Sequence, residues 1–369
     1  MRVLVVSAPL AGHLIPMLPL AEALWTAGHD VLLATGGDAL NVDTGELPVI
    51  DVARETSFGR IAARSMLAHP LDARAELAGN AGTRMVSRMF GALNEELADG
   101  MVTVVEQWRP DVVIHEPLAV AGALAAARHD VPAVLQENSF FDGPALVRAT
   151  AGSRLMQRAL RRHGFDEGLP DPEFVLTIAP PSVVGPRPGR PMRMVPRSGG
   201  SGVVPAWLRT PSDRPRILVS RSTVPGPGGD PMPAALAVAG EVDAEIVLVR
   251  PEPRLERRAN GRVRTVGWVP LAEVLPVCAA VVHHGGAGTA LGALAAGIPQ
   301  LAMPGPGDRR LNAELVARRG AGLTGRVTAQ ALTTLARDGE LASVARQVRS
   351  EMAAMPHPEA RVADVAALD

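Results

Sequence analysis

Short apolar segments alternate with helical segments along this chain, and this alternation constrains the fold more than any other feature. The chain opens with an apolar run at residues 3–6, a helix whose apolar positions share one face, and a second apolar run at residues 30–34. A strand, a helix and a strand in this order form a β-α-β unit, which implies a parallel sheet. Strands that are apolar throughout are typical of a sheet covered on both faces.

The alternation continues in two series, separated by a segment dense in Pro, Gly, Ser and Arg at residues 180–215. This composition is typical of an interdomain connection, although part of it is compatible with an irregular strand. Further strands are predicted at residues 49–52, 111–114, 131–135, 216–220, 245–249, 263–266, 280–282 and 299–303. Helices are predicted within residues 56–99, 120–128, 234–239, 271–278, 289–296, 311–319 and 341–369, the last with a break at 355–358. Residues 36–43 and 322–328 are expected to be loops. The fold class is α/β, with two doubly wound domains.

The most informative single stretch covers residues 279–298, where a buried strand ends in a glycine-rich turn and a helix begins. Gly286 and Gly288 carry no Cβ, so a ligand can lie close to the backbone. The first N–H groups of a helix have no partner inside it, and their positive partial charge favours a phosphate. Thr289 can add a hydroxyl and His284 a ring N–H.

A tight strand-to-helix turn that binds nothing is the alternative for this stretch, and shape alone leaves both interpretations open. Two named phosphate motifs are excluded. A Walker loop ends in Gly-Lys, and the chain contains no Lys. A dinucleotide fingerprint that began at Gly286 would need a third glycine at position 291, which is Leu291, and an acid at the end of the next strand, which residues 301–303 lack.

Composition excludes several classes of function. The net charge of -1 gives no indication of a nucleic-acid partner. Cys278 is the only cysteine, which leaves no disulfide framework and no thiolate metal cluster. No apolar run reaches the length of a membrane span, and the N-terminus lacks the pattern of a signal peptide. We therefore expect a cytoplasmic protein without a membrane span.

Several motifs together resemble those of the GT-B glycosyltransferases. They are Gly12-His-Leu-Ile-Pro16, Gly267-Trp-Val-Pro-Leu271, His283-His-Gly-Gly-Ala-Gly-Thr289 and Asp308 shortly before Asn312. More narrowly, the chain is similar to the actinobacterial natural-product enzymes that move deoxysugars from TDP or UDP onto polyketides and related scaffolds. The resemblance implies an N-terminal acceptor domain at residues 1–205, a nucleotide-sugar domain at 206–350, and a final helix at 351–369 that returns to the first domain. The two domains would face a central cleft.

The resemblance also implies the residues that bind the donor. Trp268 would stack on the nucleobase, and backbone groups of Val269 would read its edge. Asp308 would bind sugar hydroxyls, beside Arg309, which stands where the family carries an amide. This departure favours a deoxygenated sugar, which has fewer hydroxyls to bind. The residues implied to hold the diphosphate are His284, Gly286, Gly288, Thr289, Ser222 and Thr223.

The base implied by the resemblance is His13, oriented by Glu116 at the end of a neighbouring strand. A neutral imidazole has a suitable pKa for taking a proton near neutral pH. A carboxylate behind it would fix its tautomer and stabilise the imidazolium. The alternatives are a loop histidine with a local hydrogen bond and a solvated glutamate.

An apolar acceptor pocket is expected from strand ends and apolar helices, lined by Met66, Met85, Met89, Phe90, Leu118, Phe140 and Phe141. Because no Asp-x-Asp motif occurs, we expect transfer that needs no metal ion. The resemblance, with His13 as the base, implies inverting transfer, and no cofactor is expected. The expected partners are a nucleotide sugar and a small aglycone, and a homodimer is left open. The alternatives are a nucleotide-sugar epimerase of the same fold and a non-catalytic nucleotide-sugar-binding helper. O- and C-attachment are both compatible with the sequence.

Overall fold

Two parallel sheets form the framework of the molecule. The computed structural model describes residues 1–197, 202–210, 212–222, 230–259 and 261–368. The first sheet contains Arg2–Val6 (β1), Asp30–Thr35 (β2), Val49–Asp51 (β3), Val112–His115 (β4), Ala133–Gln136 (β5), Phe174–Thr177 (β6) and Arg190–Pro191 (β7). The second contains Arg216–Ser220 (β8), Glu245–Val249 (β9), Val263–Val266 (β10), Ala280–His283 (β11), Gln300–Ala302 (β12) and Gly322–Thr324 (β13). The strand orders are β3-β2-β1-β4-β5-β6-β7 and β10-β9-β8-β11-β12-β13, so both halves follow the doubly wound 3-2-1-4-5-6 pattern.

Helices connect the strands and cover the sheets. In the first half they are Ala11–Leu14 (α1), Leu18–Thr26 (α2), Phe58–Ala68 (α3), Pro70–Leu77 (α4), Arg84–Trp108 (α5), Val120–Arg128 (α6), Gly143–Ala151 (α7), Arg154–Arg162 (α8) and Pro181–Val184 (α9). In the second they are Ala206–Arg209 (α10), Met232–Val238 (α11), Pro253–Glu256 (α12), Leu271–Val274 (α13), Ala287–Ala296 (α14), Arg309–Arg319 (α15), Ala329–Arg337 (α16), Gly339–Ala354 (α17) and Glu359–Ala366 (α18). Among these described helices, none has both the length and the apolarity needed to cross a membrane.

The central strand β1 shows why its sequence is apolar throughout. Val3 and Val5 lie in one hydrophobic cluster, and Leu4 and Val6 lie in another on the opposite face of the sheet. Successive side chains of a strand point to opposite faces, and helices cover both faces here. β1 pairs in parallel with β2 on one side and with β4 on the other. The predicted parallel α/β architecture is therefore confirmed.

Three strands were not predicted as such. Residues 322–328 were expected to be a loop, but Gly322–Thr324 pairs with β12 as an edge strand. A Cβ at Gly322 would lie 2.3 Å from the carbonyl oxygen of Gln300, so this strand can pair only because its first residue is glycine. The sequence shows only three residues of strand here, which is too short for a periodic signal. β6 was missed, and β7 falls within the segment interpreted mainly as a connection.

The C-terminal segment returns to the first half, as predicted. The helix break at 355–358 separates α17 from α18. α18 packs on α2, Arg361 Nε donates to the carbonyl oxygen of Pro191 at 3.1 Å, and Arg190 pairs with Asp364 at 2.8 Å. The expected boundary between residues 350 and 351 falls inside α17, so a continuous helix spans it.

Candidate active site

The ends of the strands in the first sheet bring His13 and Glu116 together. His13 lies on α1, after the loop that follows β1, and Glu116 directly follows β4, the neighbouring strand. The distance from His13 Nδ1 to Glu116 Oε1 is 3.0 Å. Glu116 is fully buried, whereas 22% of the His13 side chain is exposed. The Nδ1–H group therefore donates to the carboxylate, and the Nε2 lone pair remains for a substrate.

Glu116 is held by more groups than the sequence indicates. The backbone N–H of Ala8 donates to Oε1 at 3.1 Å, and that of Leu118 donates to Oε2 at 2.8 Å. Asn138 Nδ2 also donates to Oε2, at 3.1 Å. Asn138 was not predicted as a site residue; the signal that could have found it is its position directly after β5, at the same edge of the sheet.

Electrostatic coupling fixes the charges of this pair. Burial alone would raise the pKa of Glu116, but the charge of His13, its hydrogen bond and the amides of Leu118 and Ala8 outweigh it, and the pKa lies below its usual range. Burial alone would lower the pKa of His13, but interaction with Glu116 outweighs it, and the pKa of His13 is raised. Glu116 is therefore a carboxylate that stabilises an imidazolium.

The predicted acceptor residues divide into three groups. Phe90 stacks on His13 with ring centroids 5.4 Å apart, and Leu118 lies beside Glu116. Phe141, Met66 and Met89 are partly buried at the edges of hydrophobic clusters. Met85 and Phe140 are fully buried in hydrophobic clusters, so in this structure they present no surface to a ligand, contrary to the prediction.

The glycine turn of the second half has the predicted strand–turn–helix form. Gly285 has φ +85°, and a Cβ at Gly286 would lie 2.4 Å from His284 Nε2. Gly286 caps α14 without a side-chain hydrogen bond to the first turn, which contains Gly288 and Thr289. The first turn of α14 therefore leaves backbone N–H groups without helical partners at the edge of the second sheet where β11 ends.

The two histidines of the turn have different environments. Gly285 N–H donates to His283 Nδ1 at 3.0 Å, and His283 Nε2 lies 2.8 Å from Gln300 Oε1, so His283 is a structural residue. His284 Nδ1 is buried and has no hydrogen-bond partner among the residues that the structure describes. Burial, with the charges of His283, Arg309 and Arg250, lowers the pKa of His284 to about 3, so the ring is neutral.

Trp268 follows β10 and is 39% exposed, so its ring is not enclosed in a hydrophobic core. The guanidinium of Arg250 lies 4.6 Å from the centroid of its ring. Arg250 was not predicted; it follows β9 and has a left-handed backbone, φ +56°, which is uncommon for a non-glycine residue. Val269 is buried next to Trp268.

Asp308 follows β12 and begins α15. Burial raises its pKa, while Asn312, Arg309 and His13 oppose that rise. Asn312 Nδ2 donates to Asp308 Oδ2 at 2.7 Å and to the carbonyl oxygen of Gly285 at 2.8 Å, so it ties this loop to the glycine turn. Arg309 Nη2 donates to Ser222 Oγ at 3.2 Å. Thr223 lies outside the described residues.

His13 of the first half and Asp308 of the second half lie close enough for their charges to interact. The charge of Asp308 contributes to the raised pKa of His13, and the charge of His13 acts in turn on Asp308. The described part of the chain contains no group of three side chains arranged to ligate a metal ion.

Comparison with known proteins identifies the family. Models of the erythromycin biosynthesis protein CIII-like N-terminal and C-terminal domains match residues 22–222 and 234–368. The chain is 38% identical over 378 residues to the elloramycin glycosyltransferase ElmGT of Streptomyces olivaceus, covering 100% of this chain and 96% of that protein.

Solved structures agree with this assignment. The glycosyltransferase SnogD from Streptomyces nogalater superposes with a TM-score of 0.83 at 33% identity, covering 100% of this chain and 99% of SnogD. The glycosyltransferase SsfS6 from Streptomyces sp. SF2575, solved with thymidine diphosphate, superposes with a TM-score of 0.82 at 26% identity over 100% of this chain and 99% of that one. The chain therefore belongs to the erythromycin biosynthesis protein CIII-like family and is a GT-B glycosyltransferase of the actinobacterial natural-product type.

Proposed function

We propose that this enzyme transfers a deoxysugar from a TDP- or UDP-sugar onto an apolar natural-product aglycone, with inversion and without a metal ion. The observation that carries the proposal is the hydrogen-bonded pair of His13 and Glu116, with a ring nitrogen left for the acceptor, facing Asp308 of the other half. In this proposal the base and the sugar-binding residue belong to different domains, so the reaction takes place in the cleft between them.

The reaction follows from the geometry of the pair. Nε2 of His13 takes the proton of the acceptor hydroxyl as its oxygen bonds to the anomeric carbon. The bond from that carbon to the diphosphate breaks, and the electron pair leaves with the diphosphate. The carboxylate of Glu116 stabilises the imidazolium that forms. Attack from the face opposite the leaving group inverts the anomeric centre.

Stabilisation of the departing diphosphate is assigned to the second half. The N-terminal N–H groups of α14 supply a fixed positive partial charge. The neutral ring of His284 can donate one further hydrogen bond to a phosphate oxygen, and Arg309 adds a full positive charge nearby. These groups together supply the role that a metal ion plays in other glycosyltransferases.

The substrate classes are supported by the relatives. SsfS6 was solved with thymidine diphosphate, which supports a TDP donor, and ElmGT is an elloramycin glycosyltransferase, which supports a natural-product acceptor. Phe90, which stacks on His13, supports an apolar acceptor placed against the base. Trp268 would then stack on the nucleobase.

The test is His13→Ala, assayed with a panel of TDP-deoxysugars and polyketide aglycones. We expect kcat to fall by about 10²–10⁴, the usual contribution of a positioned base. The affinity for TDP should stay within twofold, because TDP is assigned to the other half. An epimerase would alter the sugar without an aglycone, and a helper would bind without turnover. Full activity of His13→Ala would refute the assignment of His13 as the base. The anomeric configuration of the product tests inversion, and activity in the presence of EDTA tests metal independence.

A further inference from the structure

The loop that carries Asp308 contacts the first half through the C-terminal end of α4. Glu76 Oε1 accepts the backbone N–H of Gly307 at 2.7 Å. Arg310 Nη2 donates to the carbonyl oxygen of Ala78 at 2.9 Å. These hydrogen bonds join segments more than 200 residues apart in the sequence and lie on both sides of Asp308. We call residues 76–79 with residues 305–310 the interdomain clasp.

The clasp is closely fitted. Glu76 is only 5% exposed although it carries a carboxylate. Gly79 has φ +70°, and a Cβ there would lie 2.7 Å from the carbonyl oxygen of Gly305 and 2.9 Å from Arg310 Nε. Only glycine allows the two backbones to approach this closely at such a φ.

Hydrogen bonds continue from the clasp into the donor site. Gly307 is bonded to Glu76 and directly precedes Asp308, whose carboxylate accepts from Asn312. Asn312 donates in turn to Gly285 of the glycine turn. The position of Asp308 is therefore fixed from the first half through Gly307 and from the second half through Asn312.

Stability alone does not favour a carboxylate at position 76. Burial and the nearby charge of Asp308 both raise the pKa of Glu76, and the Gly307 amide offsets this only in part. A buried acid beside another acid weakens the folded state, so its presence here indicates a role other than stability. Holding the Gly307 amide in place is the role that the contacts indicate.

We infer that Glu76, on the acceptor half, is a positioning residue for donor-sugar binding: through Gly307 it holds the loop that presents Asp308 to the sugar. This inference rests on the proposed function, in which Asp308 binds the sugar. It implies that α4 sets the affinity for the sugar part of the donor and leaves the affinity for the nucleotide unchanged.

The experiment compares the binding of TDP and of TDP-L-rhamnose, a 6-deoxyhexose donor, by isothermal titration calorimetry. In Glu76→Ala the affinity for TDP-L-rhamnose should fall about tenfold, since a hydrogen bond to a charged group is lost. The affinity for TDP should stay within twofold, which also shows that the variant is folded. Glu76→Gln keeps an oxygen that accepts the Gly307 N–H, so it should bind TDP-L-rhamnose within threefold of the wild type. Arg74→Ala, an exposed change on the same helix, is the matched control.

Results that differ from these expectations would overturn the inference, and each would point to a different cause. Wild-type binding of TDP-L-rhamnose by Glu76→Ala would show that the clasp does not position the loop. An equal loss of TDP affinity would show a general structural effect, and a tenfold loss in Glu76→Gln would exclude this hydrogen bond as the cause. If the wild type itself fails to bind TDP, the proposed function fails first, and the inference falls with it.

Discussion

Replacement of Glu116 by Gln tests the proposed base most directly, because it changes one atom and removes one charge. The carboxylate accepts four hydrogen bonds, from His13 and Ala8 at Oε1 and from Leu118 and Asn138 at Oε2. A glutamine has one NH2 group, which must occupy one of these two positions. Either way, a backbone N–H group then faces another donor in a buried site.

Both orientations of the amide impair catalysis. With NH2 toward His13, Nδ1 must accept, the proton moves to Nε2, and the ring can no longer act as a base. With the oxygen toward His13 the tautomer is correct, but no negative charge stabilises the imidazolium. We expect kcat/KM to fall by about 10²–10⁴ and the stability to fall by about 1–3 kcal/mol because of the unpaired amide.

The pH profile of kcat/KM separates this mechanism from a loss of structure. The pKa of His13 is raised above 6.5 by Glu116, so activity in the wild type should decline as the pH falls through a value above 6.5. In Glu116→Gln the raising charge is gone, and this decline should move to lower pH. Glu116→Gln should also add little to the loss already caused by His13→Ala, because the two act as a unit. An unshifted profile, or additive losses in the double variant, would refute the pairing.

Two other perturbations follow from buried geometry. Gly286→Ala should weaken TDP binding at least tenfold in calorimetry, because its Cβ would lie 2.4 Å from His284 Nε2; Gly292→Ala, whose Cβ meets only Leu275 at 3.6 Å, is the matched control, and equal losses would contradict the argument. Burial raises the pKa of Glu137 to about 7, so ionisation weakens the folded state as the pH rises from its unfolded value of 4.5 through 7. Glu137→Gln should therefore stabilise the protein by up to about 3 kcal/mol at pH 8, and severalfold less at pH 5, in denaturant titrations; a gain independent of pH would contradict it.

The sequence predicted the strands of the fold where apolar runs are long. The runs at 216–220 and 245–249 coincide with β8 and β9, because at least four consecutive buried residues leave few alternatives. The prediction at 263–266 coincides with β10, where only Val263 and Val266 are buried. β13 is three residues long and starts at a glycine whose role appears only when Gln300 lies against it. Short edge strands depend on partners distant in sequence, which periodicity does not reveal.

In the candidate site, too, some residues were predictable from the sequence and others were not. The juxtaposition of His13 and Glu116 was predictable, because strand ends of a parallel sheet meet at one edge. Asn138 and Arg250 also follow strands, but an amide or a guanidinium in a loop has no pattern that marks it. Glu76 could not be predicted, because its role depends on how one half of the molecule approaches the other.

The return of α18 to α2 means that the first half is built from two separate stretches of sequence. A chimera designed to exchange sugar specificity therefore needs two junctions, one in the connection before β8 and one near the break at 355–358. A single junction would pair the terminal helix of one parent with the α2 surface of the other. Arg361 would then lose its hydrogen bond to the carbonyl oxygen of Pro191 of its own parent. Hybrids with both junctions should keep this contact intact and change the donor alone.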